Sequence, residues 1–174
     1  MINQRQIQHF ADLLFDPGAG EDPAEVSVFA ILDGASIPGL TERLDASDIE
    51  ASCLYRGELD SGTAIRAPYL VKFHGVSDDF LRWILEDLHG QPWGIFATVS
   101  PPISFEAVRR HFRRLIKVKS PEGETWLFRY YDPRVLRVYL PSCLPDEWEY
   151  VYGPVNHFHI GIPDGSGYER FSYS

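Results

Sequence analysis

The two apolar runs VSVFAIL at 26–32 and WGIFATV at 93–99 constrain the fold most. Each has strand length, is rich in β-branched or aromatic residues, and reads as a strand buried in a sheet. Helical spacing appears between and after them. Over 78–89, Phe80, Ile84 and Leu88 stripe one face, with Leu81 and Leu85 beside them. Ser77 stands as the cap, Asp78 and Asp79 favour the positive end of the helix dipole, and Gly90 suits the C′ position. From Ser104 a second helix is expected to about Leu115, with Val108, Phe112 and Leu115 inward. Strands alternating with helices predict an α/β (α+β) single domain: a mixed β-sheet of about five to seven strands flanked by helices.

The remaining segments fit this frame. Residues 3–15 read as a helix with capping-box spacing from Asn3 to Gln6, stopped by Asp16-Pro17-Gly18 and followed by a loop to Pro23. Asp33-Gly34 is a turn signal, with a short helix face at Ile37, Leu40 and Leu44 after it. Strands are expected at 53–55, 68–73, 155–162 and 168–173. Ile116–Lys119 and Thr125–Tyr131 flank Pro121-Glu122-Gly123-Glu124 as a hairpin, and 125–131 is expected to join the sheet. Asp132 followed by Pro133 is an N-cap with proline at N1, so a helix carrying Val135, Leu136 and Tyr139 starts there, ended by Pro141. A short helix follows near 145–151. With 174 residues the chain has the size of one domain. It divides into an N-terminal helix and loop (1–25), the main body (26–162) and a short strand or tail (163–174).

Composition narrows the function. A charge of −9 and a pI near 5.0 disfavour general binding to nucleic acid. Two cysteines, Cys53 and Cys143, make no CxxC pair or zinc spacing, and fit a reducing compartment. MINQRQIQHF has no apolar signal core, and the run from Val26 to Leu32 is too short to span a bilayer. The expected location is cytoplasmic, with no membrane partner and no cofactor. No GxSxG, HExxH or P-loop occurs, and the glycine-rich GIPDGSG at 161–167 lacks the context for phosphate binding. His157 and His159 lie two apart on an expected strand, which places two metal ligands on one face, but no pattern names a third. Ordinary strand histidines are the simpler reading. Cys143, in LPSCLPD, resembles no nucleophile turn and reads as a small half-buried residue.

Two features suit a partner surface. Arg109, Arg110, Arg113, Arg114, Lys117 and Lys119 cluster in residues 105–119; the rest of the chain holds ten bases against twenty-four acids, a charge of −14. This basic edge can steer an acidic partner or bind RNA, or be a solvated helix face. Geometry predicts Arg110 and Arg114 on one flank of the helix and Arg109 and Arg113 on the other. In 126–134, alternation would put Trp126, Phe128 and Tyr130 on one face and Leu127, Arg129 and Tyr131 on the other. Arg129 and Tyr131 would contact a partner if exposed; otherwise Arg129 or Arg134 is held by a buried carboxylate such as Asp33 or Asp132.

The order of motifs carries a resemblance. LDGASIPGL (32–40), CLYRGEL (53–59), APYLVKF (67–73), FLRWILE (80–86), GQPWGIF (90–96), RRHFRRLIKVK (109–119), FRYYDPRVLRVYLP (128–141) and YGPVNHF (152–158) follow one another over roughly residues 28–158. The chain resembles the adaptor (Tap or Tec) chaperone domain of bacterial type VI secretion systems, long catalogued as a domain of unknown function. The resemblance implies a non-enzymatic adaptor that binds a toxic effector in the producing cell and helps load it onto the VgrG spike. The family's motif residues fall here on Asp33, Gly34, Trp83, Pro92, Trp93, Gly94, His111, Arg129, Asp132, Pro133 and Arg134, most with a structural job as turn, cap or core. Many relatives continue as a helical second lobe, so its share in cargo binding is expected to be missing here or supplied otherwise. The competing functions are a small hydrolase or metal enzyme using His157 and His159, and an RNA-binding domain using 109–119. An enzyme requires a concave pocket with converging titratable groups.

Overall fold

In the computed structural model, which describes residues 1–18 and 26–173, the first apolar run becomes β1 (Ser27–Asp33), with six of seven residues buried. The loop expected up to Pro23 falls largely outside the described residues. β1 pairs with β3 (Pro68–Phe73) on one side and β4 (Gly94–Val99) on the other. β2 (Glu50–Cys53), β7 (Val155–Gly161) and β8 (Tyr168–Ser172) complete a six-stranded sheet in the order β2-β3-β1-β4-β7-β8. The α+β class and the strand number are as the sequence predicts. Every pairing is antiparallel, where a mixed sheet was expected. The reason lies in one crossover. α4 (Asp79–Asp87) links β3 to β4, two strands with the same direction, but β1 inserts between them in the opposite direction. The sequence pattern of a βαβ unit is thus a split one.

Alternation on the strands feeds two cores. Val28, Ala30 and Leu32 of β1, with Val71, Phe73 and Phe96, pack under α1 (Gln4–Phe15) and α4. Phe29, Ile31, Leu70, Ile95, Ala97 and Val99 face α5 (Phe105–Leu115), α6 (Pro133–Ser142) and α7 (Pro145–Tyr152). The sheet is the middle of three layers, which is why its central strands are apolar on both faces.

Several local expectations hold and others shift. The Asn3–Gln6 capping box is formed, and Ser104 caps α5 through the Ala107 N–H. Asp78, rather than Ser77, caps α4, accepting from the N–H groups of Phe80 and Leu81. A 3-10 turn (Gly34–Ser36) and then α2 (Leu40–Asp45) follow β1, and α3 (Ser61–Ala64) has no counterpart in the sequence reading. Pro141 lies inside the last turn of α6.

The largest correction concerns 125–131. Only Thr125–Leu127 is a strand, β6, and it pairs with β5 (Lys117–Lys119) in a separate two-stranded ribbon, outside the main sheet. Tyr130 and Tyr131 are adjacent and both buried, which a strand cannot achieve against a single core face. The chain turns instead, and both rings enter the second core.

Two substitutions test this packing. A Cβ at Gly94 would sit 2.1 Å from the Ile31 carbonyl oxygen, with φ at +155°. Gly94→Ala is expected to cost about 3 kcal/mol or more, read from the urea midpoint, because the contact is backbone and cannot swing away. Asp132 Oδ1 accepts the Arg134 N–H at 2.9 Å, capping α6 with Pro133 at N1. Asp132→Ala is expected to lower stability by about 0.5–2 kcal/mol; an unchanged midpoint would show that the cap is not what Asp132 supplies.

Candidate functional site

Most of the motif residues meet at one end of the sheet. Asp33, 1% exposed, closes β1. Its carboxylate accepts from the Ala35 N–H (3.1 Å), the Ser36 hydroxyl (2.9 Å) and the Arg129 guanidinium (2.8 Å). Its own N–H donates to the Trp93 carbonyl, and the Gly34 N–H donates to the Ala67 carbonyl. A side chain at residue 34 would meet the Ala67 and Ile65 carbonyl oxygens at 2.5 and 2.7 Å. Trp93 is buried against Phe96, and Pro92 is half-buried ahead of it. Arg134 grips Asp132 through Nε and a terminal nitrogen. Burial opposes ionisation of Asp132, but the Arg134 side chain and N–H outweigh it and hold the carboxyl below its usual range. Trp83 stands apart on α4, with the Arg43 guanidinium 4.1 Å above its ring. Arg129 is half-exposed, whereas Tyr131, expected beside it as a partner contact, is buried and offers no surface.

His111 forms a second knot. Its Nε2 lies 2.8 Å from the Val151 carbonyl, which only accepts, so the proton is on Nε2. Nδ1 then accepts from Arg114 at 3.3 Å. The ring lies over Gly153, where a Cβ would come within 2.5 Å of it.

The arginines of α5 divide as expected. Arg109 reaches Ser52 and Glu106, and Arg113 donates to the Cys53 carbonyl, so this flank fastens α5 to the edge strand β2. Arg110 and Arg114 are exposed on the other flank, where Arg114 lies over the Tyr150 ring.

At the C-terminal end of α5 a groove of about 560 Å³ opens between the segment after β2 and the β5–β6 ribbon. Buried Leu54 and Ile116 form its floor. Tyr55, Leu59 and Leu127 line its walls, and Arg56, Arg113, Arg114 and Lys117 its rim. No carboxylate lines it, and none of these four cations is in an ion pair among the described residues. Sequence reasoning placed the arginines but missed the groove. The available signal was CLYRGEL, in which Leu54 and Leu59 bracket Arg56 beyond the end of a strand.

His157 and His159 share the sheet face under the end of α1, with ring centroids 6.4 Å apart. His157 is engaged by Ser172 and, at 3.4 Å, by the Pro17 carbonyl. His159 is fully buried and neither ring nitrogen has a partner among the described residues. No group of three His, Cys, Asp or Glu side chains among the described residues could hold a metal ion. Cys143 is half-buried, its thiol on the Tyr139 carbonyl and pushed up by burial, the opposite of an activated nucleophile. No helix among the described residues is long and apolar enough to cross a membrane.

A family model described as "Domain of unknown function (DUF4123)" matches residues 28–150, from β1 into α7 and well over half of the chain. No curated protein and no solved structure matches.

Burial, above all, holds both buried imidazoles neutral. It lowers His111 to about 4, against the Val151 hydrogen bond and with help from Arg114, and His159 to about 3, with help from Arg170 and His157. The unfolded chain takes up these protons near the ordinary value of 6.5 and the folded chain only at lower pH, so both histidines make stability fall as pH drops below about 6.5. His159→Leu leaves no polar atom unpaired and should stay within about 1.5 kcal/mol of the wild type at neutral pH. Its urea midpoint should fall less steeply between pH 6.5 and 4 than that of the wild type; parallel curves would mean that His159 titrates alike in both states.

Proposed function

Because this chain belongs to the DUF4123 family, we propose that it is a non-enzymatic adaptor that holds a protein cargo and passes it on. By the resemblance of its motifs, the cargo is a type VI secretion effector and the acceptor is the VgrG spike. Binding takes place in the cytoplasm of the producing cell.

The observation that carries this reading is the groove beside α5. An apolar floor rimmed by cations that make no ion pair among the described residues is the layout of a protein contact, in which the floor supplies area and the rim supplies orientation. A hydrolase reading is less well supported. His159 is sealed in the core, where no substrate reaches it, and both ring nitrogens of His157 are already engaged, by the Ser172 hydroxyl and the Pro17 carbonyl. An RNA reading would use the same cations, but phosphate contacts gain nothing from a floor of Leu54 and Ile116.

Affinity capture of the tagged full chain from its native cell, read by mass spectrometry, tests the proposal. The expected catch contains a secreted toxin and VgrG, and deletion of the chain should abolish delivery of that toxin. A catch with neither protein, or delivery that persists without the chain, would overturn the adaptor reading.

A further inference from the structure

We propose that the groove beside α5 seats a short acidic segment of the partner protein, with large apolar side chains on Leu54 and Ile116 and carboxylates against Arg56, Arg113, Arg114 and Lys117. The adaptor reading enters only in naming which protein carries that segment.

The ribbon that walls the groove is the first support. β5 and β6 are three residues each, and every residue of β6 is exposed. A two-stranded ribbon on its own is marginal in water. This one is tied at its base, where the Phe128 N–H donates to the Ile116 carbonyl, yet it holds Trp126 and Leu127 out at 52% and 55% exposure. Leu127 continues the apolar floor upward as one wall. Trp126 faces away from the groove, with its indole N–H on Glu124, whereas the exposed Leu127 faces into it, and a partner laid along the groove would cover that apolar side chain.

Charge supplies the second support. The chain carries −9 overall, so an acidic segment is repelled by most of the surface and attracted at the groove. The rim cations are available for it. Arg56 and Lys117 are exposed and make no side-chain hydrogen bond or ion pair among the described residues. Arg113 and Arg114 each spend one terminal nitrogen, on the Cys53 carbonyl and on His111. Arg113 Nε is buried, so its other terminal nitrogen and the remaining donors of Arg114 are what a carboxylate can meet. The carboxylate of Asp60, one residue beyond Leu59, caps α3 through the N–H and hydroxyl of Thr63 and forms no ion pair with the rim among the described residues. A volume of about 560 Å³ takes a few large side chains, within the range of roughly 300–1,000 Å³ for ligand sites.

The test is selection of a displayed library of random peptides on the full-length wild-type chain. The selected peptides are then measured by fluorescence anisotropy against Arg56→Glu/Lys117→Glu and, separately, Leu127→Asp. All three positions are exposed, so both variants should keep the wild-type circular dichroism and melting curve. The expected peptides are rich in Asp and Glu around large apolar residues. They should lose affinity with added salt, and about tenfold or more in each variant. Peptides without acidic bias, no enrichment at all, or undiminished binding to both variants would overturn the proposal. So would a single-stranded RNA that binds the wild type and fails on the double variant while the peptides bind both. The two readings separate cleanly. Acidic peptides held in the groove by a chain that captures neither toxin nor VgrG would remove the adaptor reading alone. Capture unaffected by the double variant, with no acidic peptide selected, would remove the groove alone.

Discussion

One carboxylate joins the centre of the sheet to the layer that carries the groove. Asp33 is buried at the end of the central strand, where a charge without partners would be strongly destabilising. Three donors satisfy it: the Ala35 N–H and Ser36 hydroxyl of the turn it starts, and the guanidinium of Arg129, ninety-six residues away. The first two bend the chain out of β1. The third pins the segment between the ribbon and α6 to the sheet, and three residues on Asp132 begins α6. The base of the ribbon is therefore fixed twice, by Arg129 on Asp33 and by Phe128 on Ile116, the residue that ends α5.

The knot around His111 does the same work at the other side of that layer. An imidazole that donates to Val151 and accepts from Arg114 locks α7 to α5, and the missing side chain of Gly153 makes room for the ring. The glycine of the YGPV motif and the histidine of RRHF are thus one contact. Most of the motif residues on which the resemblance rests lie in these two knots, where their jobs are structural. The groove shares Arg114 with the second knot, and its floor of Leu54 and Ile116 is the outer edge of the core those knots enclose.

What the sequence shows and hides follows from range. Caps and turns are local, so Asn3, Ser104, Asp132 and Asp33-Gly34 were legible from neighbouring residues. The apolar runs of β1 and β4 were legible because burial on both faces leaves few polar positions. The direction of the strands was not, because the insertion of β1 between β3 and β4 is a tertiary event with no local trace. The stretch WLFRYY reads as a strand by propensity, yet the pull of two tyrosines into one core overrides it after Leu127. Tyr131 was accordingly misplaced on the surface. The groove stayed invisible for a related reason: its floor and rim come from three segments, 54–59, 113–117 and 127, that only the fold brings together.

The electrostatics, too, are set by contacts at long range. Six bases in fifteen residues suggest one continuous basic edge, but the helix deals them to different tasks. Arg109 is spent on Glu106 and Ser52, and Arg113 lends one nitrogen to the Cys53 carbonyl of the edge strand. Lys119 leans on Thr125 across the ribbon. What remains free is a shorter patch, and the groove adds to it a cation from a distant segment, Arg56. The positive surface is therefore centred on an apolar floor, not spread along a helix. Attraction that falls off within a Debye length can bring a partner only to that floor, and close packing must then select it. That division, charge for approach and shape for choice, suits a surface meant for one segment of one partner better than a surface meant for a long polyanion.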